Sequence, residues 1–232
     1  MLAVITGATK GLGKAIAEIF AKNQFDLAIC SRSQSDLEQF KTRVETQFGI
    51  QVYIFQADLS VKTSVLEFAS FLKGLQQPIE VLVNNAGSYV PGGVLNEEDG
   101  AMEFMLNTNL MSAYHLTRAV QNEISTTTKA YIFNMCSIAG LHAYHNGGAY
   151  SVSKFALNGF TKNLREELKE KRIRVSAIHP GATMSDSWAG SDISPDRIME
   201  AQDIAIAIWS AYNMSAKAVV EDIILRPQLG DL

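Results

Sequence analysis

Seven short apolar runs, separated by longer amphipathic stretches, constrain this chain more than any other feature. The runs lie near 2–6, 26–31, 51–56, 80–84, 130–136, 173–178 and 219–225. The first six are rich in Val, Ile and Leu with little alternation, as expected of strands covered on both faces. Helical periodicity fills 12–23, 34–48, 61–74, 100–123, 149–170 and 195–213. Strand–helix alternation of this kind predicts right-handed crossovers and a mostly parallel sheet. The expected fold class is α/β: a doubly wound, seven-stranded, mostly parallel sheet with helices on both faces. The 232 residues contain no low-complexity linker or internal repeat, so a single domain over 1–232 is expected. The stretch 182–195, rich in Ser, Asp and Gly, is read as a mobile surface loop beside a substrate site.

Composition narrows the partners. Net charge is −4 and no basic cluster stands out, which argues against nucleic acid or an anionic membrane. The two cysteines, Cys30 and Cys136, each end an apolar run and read as small buried side chains. No Cys or His spacing suggests a metal, so none is expected. Met1 runs directly into Leu2-Ala3-Val4-Ile5, and no apolar run is long enough to span a membrane. A cytoplasmic protein is expected.

The first run ends in Thr6-Gly7-Ala8-Thr9-Lys10-Gly11-Leu12-Gly13, and a helix begins at once. Glycines at 7, 11 and 13 let the chain turn sharply and let backbone N–H groups approach a pyrophosphate at the helix N-terminus. A strand, a glycine turn and a helix at the start of a βαβ unit is the context such a cradle requires. A tight turn with no ligand is the alternative. The spacing is neither G-x-G-x-x-G nor that of a Walker loop. It predicts a Rossmann-type dinucleotide site with Gly7, Thr9, Lys10, Gly11, Leu12 and Gly13 along the cofactor.

The second strand selects the dinucleotide. NAD sites usually place Asp or Glu at its end to bond the ribose hydroxyls. Here it ends Cys30-Ser31-Arg32, with no carboxylate. Arg32 and Lys10 are suited to grip a 2′-phosphate, with Ser31 donating one more bond, so NADP(H) is expected over NAD. Two solvated surface cations are the plainer alternative. Asp58 and Leu59, at the end of the third strand, are placed to cap the adenine. Asp58 could equally N-cap the next helix, although Ser60 suits that role better.

Tyr150 and Lys154 lie four apart on a predicted helix and therefore share a face. A nearby ammonium, with the positive charge of an oxidised nicotinamide, favours phenolate and lowers the phenol pKa. Such a tyrosine can exchange a proton with an alcohol oxygen near neutral pH. Ser137 ends the fifth strand, on the edge where α/β sheets hold ligands, and can polarise a substrate carbonyl.

In chain order the elements are Thr6-Gly7-x-x-x-Gly11-x-Gly13, Asn84-Asn85-Ala86-Gly87, Asn109, Ser137, Tyr150-x-x-x-Lys154 and His179-Pro180-Gly181. With these, across almost its whole length, the chain resembles the short-chain dehydrogenase/reductase family. The resemblance implies an NADP(H)-dependent oxidoreductase that moves a hydride between nicotinamide and a carbonyl or secondary alcohol. It implies Tyr150 as the acid/base and Lys154 as the group that lowers its pKa and bonds the nicotinamide ribose. Ser137 would orient the substrate oxygen, and Asn109 would hold a water linking Lys154 to solvent. Asn85, Ala86 and Gly87 would lie along the cofactor, with the Asn-Asn pair also bracing the sheet. Pro180 and Gly181 would admit the nicotinamide, and Thr183 or Ser185 would bond its carboxamide. A homo-oligomer, dimer or homotetramer, is implied through helices 100–123 and 155–164. The C-terminal run 220–227 lacks the Asp-Gly-Gly ending of 3-oxoacyl-[acyl-carrier-protein] reductases. It is more similar to the branch of 3-hydroxy acid dehydrogenases and sepiapterin reductase-like enzymes.

The resemblance implies that His142 and His145, between Ser137 and Tyr150, line the substrate mouth, and no acid/base role is expected of them. Tyr89 and Val90 are read as one pocket wall, and Trp188 as a lid or a packing residue. The other functional class is a non-catalytic NADP(H)-binding redox sensor. It needs only the glycine loop, Lys10 and Arg32, which leaves Ser137, Tyr150 and Lys154 without a purpose. Epimerase or dehydratase chemistry needs further acids or a larger sugar-nucleotide domain. Nothing in the residues selects one carbonyl substrate from another.

Overall fold

The computed structural model describes residues 1–124, 129–184 and 194–230. Among them, β1 (Leu2–Thr6), β2 (Asp26–Ser31), β3 (Val52–Gln56), β4 (Ile79–Asn84), β5 (Tyr131–Met135), β6 (Arg174–Pro180) and β7 (Asp222–Leu225) form one sheet. The spatial order is β3-β2-β1-β4-β5-β6-β7, and every neighbouring pair is parallel. The order reverses at β1, which pairs with both β2 and β4. The crevice beyond the carboxyl ends of β1 and β4 is therefore the place where such a sheet holds a ligand.

Helices cover both faces, as the unalternating strands require. On one side α1 (Gly11–Lys22), α2 (Gln34–Phe48) and α7 (Ala201–Asn213) bury Ile16, Phe20, Leu37 and Ile208 against the sheet. On the other, α3 (Lys62–Gly74), α5 (Ser112–Ala119) and α6 (Gly148–Leu168) contribute Phe68, Leu72, Leu116 and Leu168. Edge-to-face contacts of Phe20 with Phe25, Trp209 and Tyr212 lock α1 against α7.

Three expected elements differ. The helix read over 100–123 is α4 (Ala101–Leu106), a π-helical turn (Asn107–Met111) and then α5. The Ser112 N–H donates back to the Asn107 carbonyl, the i→i+5 bond of such a turn, and Asn109 sits within it. The strand read over 219–225 joins the ladder only at Asp222, opposite Ala177. The helix read over 195–213 begins at Ala201, after a 3₁₀ turn at Pro195–Arg197.

Candidate active site

Gly7 leaves β1 at φ +64° and Gly11 opens α1 at φ +51°, backbone that favours glycine. Gly13 is needed for a different reason. A Cβ there would stand 2.2 Å from the Gly7 carbonyl oxygen and 2.5 Å from the Asn85 side-chain nitrogen. The helix start thus lies hard against the turn, the arrangement that receives a phosphate. Thr6 ties this turn to the end of β4. Its hydroxyl accepts the N–H groups of Asn85 and Ala86, both at 2.9 Å. The Asn85 amide donates in return to the carbonyls of Thr6 at 2.8 Å and Gly7 at 3.1 Å. Asn84 braces the sheet, donating to Asn134 Oδ1 at 2.8 Å and Thr117 Oγ1 at 3.1 Å. Thr9 is half-buried in the turn, and Leu12 packs partly against the core. These residues fit a dinucleotide, because the cradle exists only where its glycines lack a Cβ.

Arg32 is exposed, and its charge helps hold the Asp58 carboxyl below the usual carboxylate range. The larger cause is a pair of bonds to Asp58 Oδ1 from the Ser60 N–H at 2.9 Å and hydroxyl at 2.8 Å. Ser60 is consequently not a helix cap: α3 starts behind Val61, with no side-chain cap bond. The Ser31 hydroxyl donates to the Ser33 carbonyl at 3.2 Å, so the extra donor expected there is engaged within its own turn. Leu59 buries its side chain in the core, leaving its main chain for the crevice. Sequence reasoning missed Asp36, whose Oδ2 lies 3.4 Å from Lys10 Nζ.

Tyr150 and Lys154 share one face of α6, with Lys154 Nζ 5.6 Å from the centre of the Tyr150 ring. Lys154 is 4% exposed and donates to the Met135 carbonyl at 2.7 Å. Burial pulls its pKa down to about 8. Burial also pushes the Tyr150 phenol up; the facing Ser137 hydroxyl opposes this, while Cys136 and Tyr89 add to it. The ammonium lies over the ring and is bonded to a carbonyl.

Ser137 precedes a 3₁₀ turn at Ile138–Gly140, and its hydroxyl oxygen accepts the Ala139 N–H at 3.1 Å. Asn109 is 1% exposed. Its Oδ1 accepts the Ser88 N–H at 2.7 Å, and its amide donates to the Ser88 carbonyl at 3.0 Å and Ser153 Oγ at 2.9 Å. Ser153 Oγ donates on to the Tyr150 carbonyl at 2.7 Å. Both amide protons of Asn109 are therefore used in joining the loop after β4 to α6, a bracing role that the sequence did not suggest. A Cβ on Gly87 would stand 3.1 Å from Asn109 Oδ1 and 3.4 Å from Lys154 Nζ, which keeps this corner open. Pro180 ends β6, and the Gly181 N–H donates to the Leu225 carbonyl at 2.7 Å. Thr183 is buried, with its hydroxyl turned to the Gly181 carbonyl at 2.9 Å. Ser185 and Trp188, and most of the loop 182–195, lie outside the described residues.

Tyr89 packs edge-on against Tyr150, ring centres 5.0 Å apart, and is 43% exposed. Tyr144, not singled out from the sequence, interacts with Tyr89 and Tyr150 and is 46% exposed. Val90, His142 and His145 are also exposed. Glu97 holds its loop to the start of α6 by accepting the Ala149 N–H at 3.0 Å, a carboxylate at a helix N-terminus. Among the described residues no His, Cys, Asp and Glu cluster could hold a metal ion, and no helix is long and apolar enough to cross a membrane.

A parallel sheet with a phosphate cradle at its switch point is the scaffold of dinucleotide-dependent oxidoreductases. Within that class the chain belongs to the short-chain dehydrogenase/reductase family: the pattern described as short chain dehydrogenase matches residues 1–194. It is an oxidoreductase of that family. It is 32% identical to sepiapterin reductase of Chlorobaculum tepidum over 99% of this chain and 97% of that protein. It is 28% identical to the NADP-dependent 3-hydroxy acid dehydrogenase of Salmonella typhi, covering 98% and 95%. An alcohol dehydrogenase of the archaeon Thermococcus sibiricus, complexed with 5-hydroxy-NADP, shares the fold at a TM-score of 0.92, with 24% identity and coverage of 100% and 98%. A metagenomic short-chain oxidoreductase in complex with NADP superposes at 0.83, with 26% identity over 98% and 97%.

Proposed function

We propose that this protein is an NADP(H)-dependent carbonyl reductase or alcohol dehydrogenase in which Tyr150 passes the proton. The observation that carries this reading is the convergence of Tyr150, Lys154 and Ser137 beside Gly87, next to the glycine cradle of β1. Gly7, Thr9, Lys10, Gly11, Leu12 and Gly13 would hold the pyrophosphate, and Asp58, Leu59, Asn85, Ala86 and Gly87 the adenosine and ribose side. Pro180, Gly181 and Thr183 would hold the nicotinamide end. When bound, the dinucleotide supplies or accepts the hydride. The protein's own part is orientation and proton transfer. The Ser137 hydroxyl and the Tyr150 phenol face one another, so a carbonyl oxygen between them takes a hydrogen bond from each. With its pKa raised, Tyr150 keeps its proton at neutral pH and can donate it to the oxygen as the alcohol forms. Lys154, fixed by the Met135 carbonyl, stands beneath the ring to bond ribose hydroxyls.

NADP(H) rather than NAD(H) is favoured by Lys10, in the glycine turn after β1, and by Arg32, which follows β2 where Ser31 and not a carboxylate ends the strand. The relatives that carry NADP in their names or complexes support it. The substrate class is a small or medium carbonyl compound entering past Tyr89 and Tyr144. A silent NADP(H) sensor leaves the convergence at Tyr150 unexplained and is set aside. Phe104 of α4 and Val152 and Phe155 of α6 are exposed apolar side chains on neighbouring helices, which supports self-association as a dimer or tetramer. Two buried free thiols accord with a cytoplasmic location.

The test is loss of NADPH absorbance with a panel of ketones, aldehydes and 3-oxoacyl thioesters. Tyr150→Phe should lower turnover on the order of 10²–10⁴-fold. Undiminished activity in that variant removes the proposed acid, and no turnover of any carbonyl by the wild type removes the enzyme.

A further inference from the structure

The His179 side chain is 0% exposed and lies between two hydrogen-bond acceptors. Its Nδ1 is 3.1 Å from the Ser137 carbonyl oxygen, and its Nε2 is 2.9 Å from Asp222 Oδ1. The Ser137 carbonyl can only accept, so Nδ1 carries hydrogen and donates to it, while Nε2 and the Asp222 carboxyl share one proton between them.

The ring spans three strands at the ligand edge of the sheet. Ser137 follows β5, His179 lies in β6 just before Pro180 and Gly181, and Asp222 opens β7. The charged groups on the α6 side are Lys154, bonded to the Met135 carbonyl, and Arg165, bonded to the Val175 carbonyl and paired with Glu221. The buried Cys136 thiol feels Lys154, Asp222 and Arg165 together. The Ser137 carbonyl also accepts the Gly140 N–H at 2.9 Å, so this carbonyl is pinned from two sides.

We propose that His179, anchored by Asp222, is a positioning residue that fixes the Ser137 main chain and with it the hydroxyl facing Tyr150. The proposal rests on the catalytic reading of Ser137 and Tyr150 given above. The bond to Ser137 serves the reaction, and the bond to Asp222 serves the ring.

Two near-isosteric changes separate the bonds. His179→Asn puts an amide nitrogen near the place of Nδ1, keeping the Ser137 bond and dropping that to Asp222. His179→Gln reaches the place of Nε2, keeping Asp222 and dropping Ser137. Each leaves one partner unmet, so their melting temperatures should fall alike. With NADPH and a ketone that the wild type reduces, kcat should fall about tenfold or more in His179→Gln but stay within about threefold in His179→Asn, with KM for NADPH unchanged in both. Asp222→Asn should also keep kcat, because its amide can donate to Nε2 while a neutral ring still donates to Ser137. Equal kcat in the Asn and Gln variants at equal stability overturns the proposal. Long-range ¹H–¹⁵N spectra of the histidine-labelled wild type decide the bonding without turnover. The signals that vanish in His179→Asn should show a protonated Nδ1, and an Nδ1 without hydrogen there overturns the proposal. If the wild type reduces no carbonyl, the oxidoreductase reading falls and takes the catalytic half of the proposal with it, while the spectra still judge the ring.

Discussion

Replacing Lys154 with methionine should stabilise the folded protein at neutral pH while removing its turnover. Burial lowers Lys154 from its ordinary 10.5 to about 8. At about 1.4 kcal/mol per pH unit, holding the ammonium in the fold costs about 3 kcal/mol at neutral pH. The direction follows from which state binds more protons. Near pH 7 the lysine is mostly charged in both states, so the full penalty is present. As the pH rises from about 8 toward 10.5, the folded state releases its proton before the unfolded state does, and the penalty fades. Methionine keeps most of the apolar stem but leaves the Met135 carbonyl without its 2.7 Å partner, which offsets about 1–2 kcal/mol. The variant should therefore be about 1–2 kcal/mol more stable than wild type at neutral pH and less stable by a similar amount once the penalty is gone. Urea unfolding of both proteins at neutral, mildly alkaline and strongly alkaline pH measures the difference. A stability difference that does not change with pH would refute the picture of Lys154 as a desolvated cation.

Other expectations follow from the crevice. Lys10→Ala with Arg32→Ala should weaken NADPH far more than NADH in fluorescence titration. Each charged contact is worth about 1.5–3 kcal/mol, toward the lower end here because water screens exposed cations; equal losses for both cofactors would mean these cations do not read the 2′-phosphate. Gly13→Ala must displace the Gly7 carbonyl from 2.2 Å. It should lower stability by about 1–3 kcal/mol and abolish dinucleotide binding, and unchanged binding in calorimetry would contradict the cradle.

Features set by local period or by short spacing were legible in the sequence. The strands of a doubly covered sheet show as unbroken apolar runs, and a four-residue spacing on a helix necessarily puts Tyr150 and Lys154 together. Gly7, Gly11 and Gly13 declare a turn because other residues fit it badly. What escaped depends on contacts between distant segments. The π turn at Asn107–Met111 adds a residue to one helical turn without disturbing the apolar pattern around it. Asp36 meets Lys10 only because α2 starts beside the glycine turn. His179 and Asp222 meet across neighbouring strands whose register no local pattern encodes. The late start of the sheet pairing in β7, at Asp222, likewise reflects where β6 offers partners.

The most direct test of hydride transfer is isotopic. The protein is incubated with NADPH carrying deuterium at the reactive carbon of the nicotinamide and with a ketone from the panel, and the alcohol is analysed by mass spectrometry and NMR. One deuterium on the new carbinol carbon, formed by the wild type and almost absent with Tyr150→Phe, is the predicted result. An alcohol whose carbinol hydrogen comes from water, or equal deuterium transfer by both proteins, would contradict the assignment of Tyr150 to an NADP(H)-dependent reduction.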